Sequence, residues 1–436
     1  MPPTEEGPAL AAALRKAAWR IVPFLLLLYV LAFLDRVNLS YAKQSFLRDT
    51  GLGDEAYAFG AGIFFLAYAL FEIPSNLILH RVGARVWLCR IMVTWGLISA
   101  ATMFAHSARS FYLLRFLLGA AEAGFFPGVI LYLTYWFPAR TRYAILGSFY
   151  FGAPLSQIFG GPLSGYLLEL NGRCGLQGWQ WLFLVEGALA VPAGVWAFFY
   201  LTDRPERAAW LPEAERSALV RRMESEHQGI EAIGGRHTLA ALARPRVLYF
   251  GLIYIFIQAT TYGVTFYIPS QIAGLFGRET GLWVGLVSAI PWLCALAAVF
   301  LLPLWARRTG RRAWVAGGAL AVAAAGIAAS ACGSPVFGLI ALSVATAGFM
   351  GAQPIFWTFP TGELTGAGAA GGIALVNSVG ALGSFGATNL RAAAERLGGT
   401  PLAGLAAMAA VTALGAVLMF SLSEPPAVPA PLPPRE

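Results

Sequence analysis

The chain has 436 residues, of which 58% are hydrophobic and 12% charged, against roughly 25% charged in a soluble globular protein. That shortage of solvating surface excludes a soluble globular fold, and apolar segments of about 20 residues recur throughout, each long enough to cross a hydrocarbon core as a helix. The formal net charge of +8 does not indicate nucleic acid, because the basic residues gather in alternate loops and form no stripe interleaved with aromatics.

In chain order, twelve helical spans are predicted, at about residues 19–41, 56–78, 87–105, 110–135, 142–168, 180–201, 247–271, 281–305, 313–332, 335–360, 366–390 and 401–422. The first is too long for the apolar region of a signal peptide and lacks a cleavage site, so it reads as a retained span. An even number of spans puts both termini on one face. Segments on that face hold 21 of the Lys and Arg residues and those on the other hold 7, a bias that marks the terminal face as cytoplasmic.

The long polar stretch 202–246 separates the sixth span from the seventh. Within it, "LPEAERSALVRRMESE" places Pro212 near a first helical turn and acids ahead of arginines, the pattern of an amphipathic helix. The expected organisation is a six-helix bundle over 1–201, a cytoplasmic linker over 202–246, a second six-helix bundle over 247–422 and a Pro-rich disordered tail over 423–436. The halves also repeat. "HRVGAR" (His80 to Arg85) follows the second span and "RRTGRR" (Arg307 to Arg312) follows the eighth, an internal duplication of the kind found in transporters.

Four ionisable residues fall well inside spans: Asp35 and Arg36 in the first, Arg115 and Glu122 in the fourth. Each costs roughly 2.5–3.5 kcal/mol near a helix centre on insertion scales, about 10 kcal/mol together if left in lipid. They must pair, face a wet cavity, or both. Arg115, Gly119, Glu122 and Phe126 are spaced as one helical stripe. Depth makes an Asp35–Arg115 pair across helices sterically feasible, leaving Arg36 free for a ligand and Glu122 deeper in the cavity. Two readings stand: structural ion pairs that fix helix packing, or a proton relay with an anion-binding arginine.

Tyr68, Gln157, Gln258 and Asn377 each fall near the middle of a span, as interhelical hydrogen bonds or as the lining of a midplane site. Glu72 and Glu186 lie nearer span ends and read as structural. Cys89, Cys174, Cys294 and Cys332 show no CxxC spacing, and His80, His106, His227 and His237 fall in loops or at their edges. No metal site, phosphate-binding loop or other cofactor is therefore expected. A membrane enzyme would need a nucleophile–base set or metal cluster at one depth, and the sequence offers neither.

The segments "FLDRVNLSYAK", "YALFEIPSNLILHRVGARVWLCRIMVTWG", "RFLLGAAEAGFFPGVILYLTYWFP", "GGPLSG", "GWQWLFLVEG" and "ALVNSVGALGSF" together resemble the anion:cation symporter family of the major facilitator superfamily, in its bacterial phthalate-, tartrate- and sugar-acid-type branch. The resemblance covers nearly the whole chain. It implies an all-α integral membrane protein, with twelve helices in two six-helix bundles around a cavity that opens alternately to each side. It also implies a monomer whose partners are a small organic carboxylate, protons and the lipid bilayer. Asp35 and Glu122 match the family's proton-coupling acids, Arg36 the arginine that meets the substrate carboxylate, and Arg115 a position that modulates the acids. Tyr68 and Asn377 match substrate contacts, Gln258 less closely; with Gln157 they form the expected binding set.

The duplicated basic loops, with Arg81 and Arg85 in one half and Arg308 and Arg312 in the other, correspond to a conformational latch. Here Arg307 stands where the family usually has Asp, and Ala381 where Asn is common. "GATNLRAAAERLGG" replaces a usual Gly-Pro-Tyr run at the end of the eleventh span. The function implied is proton-coupled uptake of an organic anion across a bacterial inner membrane. The rival within the same fold is a proton-driven exporter or antiporter, whose Gly-Pro motif "GGPLSG" partly resembles.

Overall fold

The structure is a computed structural model that describes residues 7–233, 245–363 and 367–424. The Pro-rich tail from residue 425 onward, and the linker stretch 234–244 with His237, lie outside the described residues. Among those residues the regular elements are helices and there is no strand. In an apolar solvent each backbone group must find its partner within its own segment or in a closed barrel, and a helix meets that demand locally.

The N-terminal half contains α1 (Pro8–Thr50), α2 (Asp54–Val82), α3 (Ala84–Ala101), α4 (Ala108–Glu122), α5 (Phe125–Trp136), α6 (Ala139–Phe149), α7 (Gly152–Leu168) and α8 (Gly178–Tyr200). The linker carries α9 (Glu213–Ile233). The C-terminal half contains α10 (Pro245–Thr265), α11 (Ile268–Phe276), α12 (Leu282–Thr309), α13 (Arg312–Ala329), α14 (Pro335–Glu363), α15 (Ala367–Gly398) and α16 (Pro401–Phe420). Ten helical segments among the described residues are long and apolar enough to cross a membrane. The interrupted fifth span and the Gly-, Ser- and Asn-bearing α15 complete the twelve.

Three predicted spans are not single helices. The fourth breaks after Glu122, where Gly124 adopts φ 86°, a backbone region open to glycine at no steric cost. A Cβ there would also sit 2.3 Å from Ser75 Oγ. The fifth breaks at Tyr150–Phe151, between α6 and α7, and the seventh at Phe266–Tyr267, between α10 and α11. The first span, predicted at about 19–41, is the middle of a 43-residue helix that Gly51 closes in the left-handed region at φ 69°.

Buried apolar side chains form two cores. One runs from Leu10 to Met223, with Tyr262, Phe266, Tyr267 and Ala381 joining it across the seam. The other runs from Val247 to Leu422 and takes in Ala153. The linker is fastened to the first: Leu211, Leu219 and Met223 belong to that core, Trp210 stacks on Trp136 at 5.4 Å, and Lys16 bonds Glu215 at 2.7 Å.

The duplicated loops close in the same way in both halves. Asp203, just after α8, accepts from the backbone N–H of Arg85 at 2.9 Å and lies 3.8 Å from its guanidinium. Glu424, just after α16, accepts from the N–H of Ala313 at 2.7 Å and lies 3.8 Å from Arg312. Each carboxylate thus meets the unpaired N–H groups and positive end of the helix that forms the third span of its half, α3 or α13. Arg81 and Arg308, the other predicted latch residues, are exposed in the last turns of α2 and α12, just before these loops.

On the face opposite the linker the halves are locked together. A Cβ on Gly285 would lie 2.1 Å from the Gly161 carbonyl oxygen, and one on Gly165 would lie 2.4 Å from that of Gly281, so α7 and α12 touch backbone to backbone. Arg396 pairs with Glu55 at 2.6 Å and Arg48 with Glu279 at 3.4 Å. Between them the Tyr267 ring is flanked by Lys43 Nζ at 4.5 Å and the Arg391 guanidinium at 3.7 Å.

Candidate functional site

A cavity lies between the halves, lined at mid-depth by Arg36, Tyr68, Gln157, Gln258, Thr261, Tyr262, Trp292 and Gln353, and toward the linker face by Tyr150, Trp357 and Asn377. All five predicted binding residues (Arg36, Tyr68, Gln157, Gln258 and Asn377) therefore border one space, although they come from five different helices. The walls between these polar groups are aromatic, with Tyr29, Phe33, Phe65, Phe126 and Tyr254 among them. Few polar groups set in apolar walls is the usual make-up of a small-molecule site.

Among the described residues, Arg36 is the charged one lining the cavity. Its guanidinium donates to Glu122 Oε1 through Nη2 and to the Tyr262 hydroxyl through Nη1, the latter at 2.8 Å. Four rings surround it, with Phe33, Phe64 and Tyr68 at 5.1–5.4 Å and Tyr262 at 6.0 Å. Its Nε has no acceptor among the described residues. Glu122, 1% exposed, is the last residue of α4, and the break at Gly124 ends the helix beside it. The bond from Arg36 to Tyr262 crosses from α1 to α10, so this cation ties the two halves.

The expected Asp35–Arg115 pair does not form. Asp35 accepts from the Trp95 indole N–H, from Ser99 Oγ at 2.8 Å and from Asn38 Nδ2 at 3.3 Å. It is sealed between α1 and α3, away from the cavity. Arg115 is 1% exposed; its Nε donates to the Gly60 carbonyl at 3.4 Å, and its guanidinium lies 4.9 Å from the Phe64 ring centre. Its Nη2 has no acceptor among the described residues. Arg36 is correspondingly not free for a ligand, because Glu122 holds it.

The stripe predicted on one fourth helix is also cut. Arg115, Gly119 and Glu122 share α4, whereas Phe126 reaches the cavity from α5. Glycine is needed at 119, where a Cβ would lie 2.2 Å from the Phe64 carbonyl oxygen.

Sequence reasoning missed three contributors. Tyr262 reads as one more aromatic in an apolar span, yet it is the second partner of Arg36. Gln353, 7% exposed, donates to Thr261 Oγ1 at 3.0 Å on the C-terminal wall; an amide side chain inside an apolar span was the available signal. Glu72, expected to be structural near a span end, is fully buried and accepts from Asn377 Nδ2 at 2.8 Å and Ser378 Oγ at 2.7 Å across the seam. Glu186, in contrast, bonds within its own half, to Ser164 at 2.6 Å.

A family profile described as Major Facilitator Superfamily matches residues 25–388. The chain is 46% identical over 413 residues to the inner membrane transport protein RhmT of Escherichia coli (strain K12), covering 95% of this chain and 96% of that one. It is 46% identical over 424 residues to an Agrobacterium vitis protein named for tartrate transport, covering 96% and 93% of the two chains. The fold matches that of the E. coli xylose transporter XylE in a partially occluded inward open conformation. The TM-score is 0.70 at 14% identity, over 93% of this chain and 97% of that one.

Proposed function

The chain belongs to the Major Facilitator Superfamily, a secondary transporter and multi-pass membrane protein rather than an enzyme, and from that premise we propose that it takes up a small organic carboxylate together with protons across a bacterial inner membrane. The observation that carries the reading is the bond from Arg36 to Glu122 at the cavity wall. Arg36 is the cation there, and a carboxylate of the protein already occupies it. Protonation of Glu122 cancels the charge that holds Arg36, and an incoming carboxylate takes the place of the lost anion. The cavity accepts the anion with a proton or stays self-neutralised, which is what obligatory coupling requires. Charges left unpaired at this depth are costly.

In this reading Tyr68, Gln157, Gln258 and Asn377 contact the uncharged part of the substrate, and Tyr262 releases Arg36 as the halves part. Asp35, whose hydrogen-bond partners are all neutral, is a second proton site, and Arg115 biases both acids. The chain works as a monomer whose two six-helix halves, residues 1–201 and 247–422, move against each other. The loops holding Arg81, Arg85, Arg308 and Arg312 act as latches. With both termini in the cytoplasm, as the charge bias indicates, the closed face is periplasmic and the cavity leads inward.

The test is uptake of labelled hydroxy and aromatic acids, L-tartrate first, into right-side-out membrane vesicles with and without an imposed inward proton gradient. Accumulation that requires the gradient is expected. Glu122→Gln is expected to abolish accumulation while retaining substrate exchange, since a permanently neutral residue 122 leaves nothing to recycle. If Glu122→Gln still concentrates substrate, the coupling role is wrong; if the gradient drives substrate outward, the exporter reading replaces this one.

A further inference from the structure

The contact that the reading above leaves unused is Glu72. It stands on α2 one turn beyond Tyr68, fully buried, and both its oxygens are committed to the other half: Oε1 to Asn377 Nδ2 at 2.8 Å, Oε2 to Ser378 Oγ at 2.7 Å. A carboxylate at this depth is expensive, and neither partner is a cation that would offset the cost. We propose that Glu72 is a positioning residue of the cavity, orienting the Asn377 amide toward the substrate and clasping α2 to α15 at the linker-side wall. The proposal rests on the reading that Asn377 contacts substrate.

The geometry requires an orientation. An amide side chain can present either its oxygen or its nitrogen, and the two ends are similar in shape. Facing a carboxylate, only the NH2 end can bond, so Asn377 is left with its carbonyl oxygen and one N–H for the cavity it lines. Ser378, next in sequence, takes the second carboxylate oxygen and removes the remaining freedom of the α15 backbone relative to α2. Glu72 lies 10 residues from the linker end of its helix, so the clasp acts on the side of the seam away from the Gly161–Gly285 contact. It holds that side partly closed and has to yield when the cavity opens fully toward the linker.

What matters in this proposal is the pattern of acceptors and donors rather than the charge. Glutamine can reproduce the bridge, accepting from Asn377 through Oε1 and donating to the Ser378 hydroxyl oxygen through Nε2. Leucine fills similar space and can do neither. The experiment compares wild type, Glu72→Gln and Glu72→Leu as full-length protein in liposomes by two readouts. The first needs no substrate: spin labels at the exposed linker-face positions Val82 and Thr309, one on each half, report their separation. The second is the concentration dependence of L-tartrate uptake.

Glu72→Gln is expected to keep the wild-type distance distribution and a KM within about twofold. Glu72→Leu is expected to lengthen and broaden the distribution and to raise KM about tenfold, the worth of one lost hydrogen bond, with the maximal rate little changed. Asn377→Ala should raise KM similarly, and adding Glu72→Leu to it should raise KM no further, because partners in one bond are not additive. A Leu variant with wild-type distances overturns the clasp. A Gln variant as impaired as Leu overturns the positioning role in favour of a charge role. If wild type carries neither L-tartrate nor any other of the hydroxy and aromatic acids, the assigned substrate class fails while the distance measurement still decides the clasp.

Discussion

Arg36 shows how much turns on the direction of one side chain. Asp35 and Arg36 are neighbours in sequence, and neighbours on an α-helix point about 100° apart. One of them faces the cavity and the other faces α3. The sequence makes their depth legible, and the need for partners follows from it, but not which neighbouring helix each one faces; hence the expected Asp35–Arg115 pair is replaced by Arg36–Glu122 and a neutral cage of Trp95, Ser99 and Asn38 around Asp35. The planar fork of Arg36 meets Glu122 and Tyr262 at once, which an ammonium on a four-carbon stem does not reproduce. Arg36→Lys is therefore expected to lower the uptake rate at fixed substrate by about tenfold or more, measured in the same vesicles. Trp95→Phe keeps the packing but removes a donor from a buried carboxylate, and should cost about 1–3 kcal/mol of stability, read as a lowered denaturation midpoint in detergent.

At the scale of elements, hydropathy located every span, because a run of apolar residues is a local property. It did not locate the breaks after Glu122, at Tyr150 and at Phe266, where the apolar pattern continues unchanged. Gly124 is the local sign of the first of these, since its positive φ leaves the helical region. The glycines of α7 and α12 are different: their backbones are helical, and what requires them is the other helix. Gly285→Val would place side-chain atoms inside the Gly161 carbonyl, and overpacking of this kind costs roughly 1–3 kcal/mol. The expected result is separation of the halves on the face opposite the linker, seen as a longer distance between spin labels at the exposed positions Arg173 and Leu397, with loss of uptake.

Across the whole molecule, the duplication visible in "HRVGAR" and "RRTGRR" is matched in space by Asp203 and Glu424, each capping the helix that follows its basic loop. The linker helix α9 breaks the symmetry by packing chiefly on the N-terminal half, against α1 and α5, with a lesser contact to α15. Spin labels at Glu224 and Arg15 should therefore keep a fixed distance when substrate and protons are added, while a pair at Glu224 and Arg311 should change. A linker that moved with the C-terminal half would reverse that result.

The sequence by itself determined the class of solvent this chain lives in, the number and order of its spans, the two halves, and five of the polar residues that border the cavity. Each of these follows from composition or from spacing along a helix, and both can be read one segment at a time. Only the tertiary structure decided that Arg36 rather than Asp35 meets the cavity, that Glu122 holds it, that Tyr262 and Glu72 bridge the seam, and that the face opposite the linker is shut. Those depend on how each helix is rotated about its axis and which neighbour it meets, and in an apolar medium that choice rests on close packing and a few interhelical hydrogen bonds, which a hydropathy pattern does not carry.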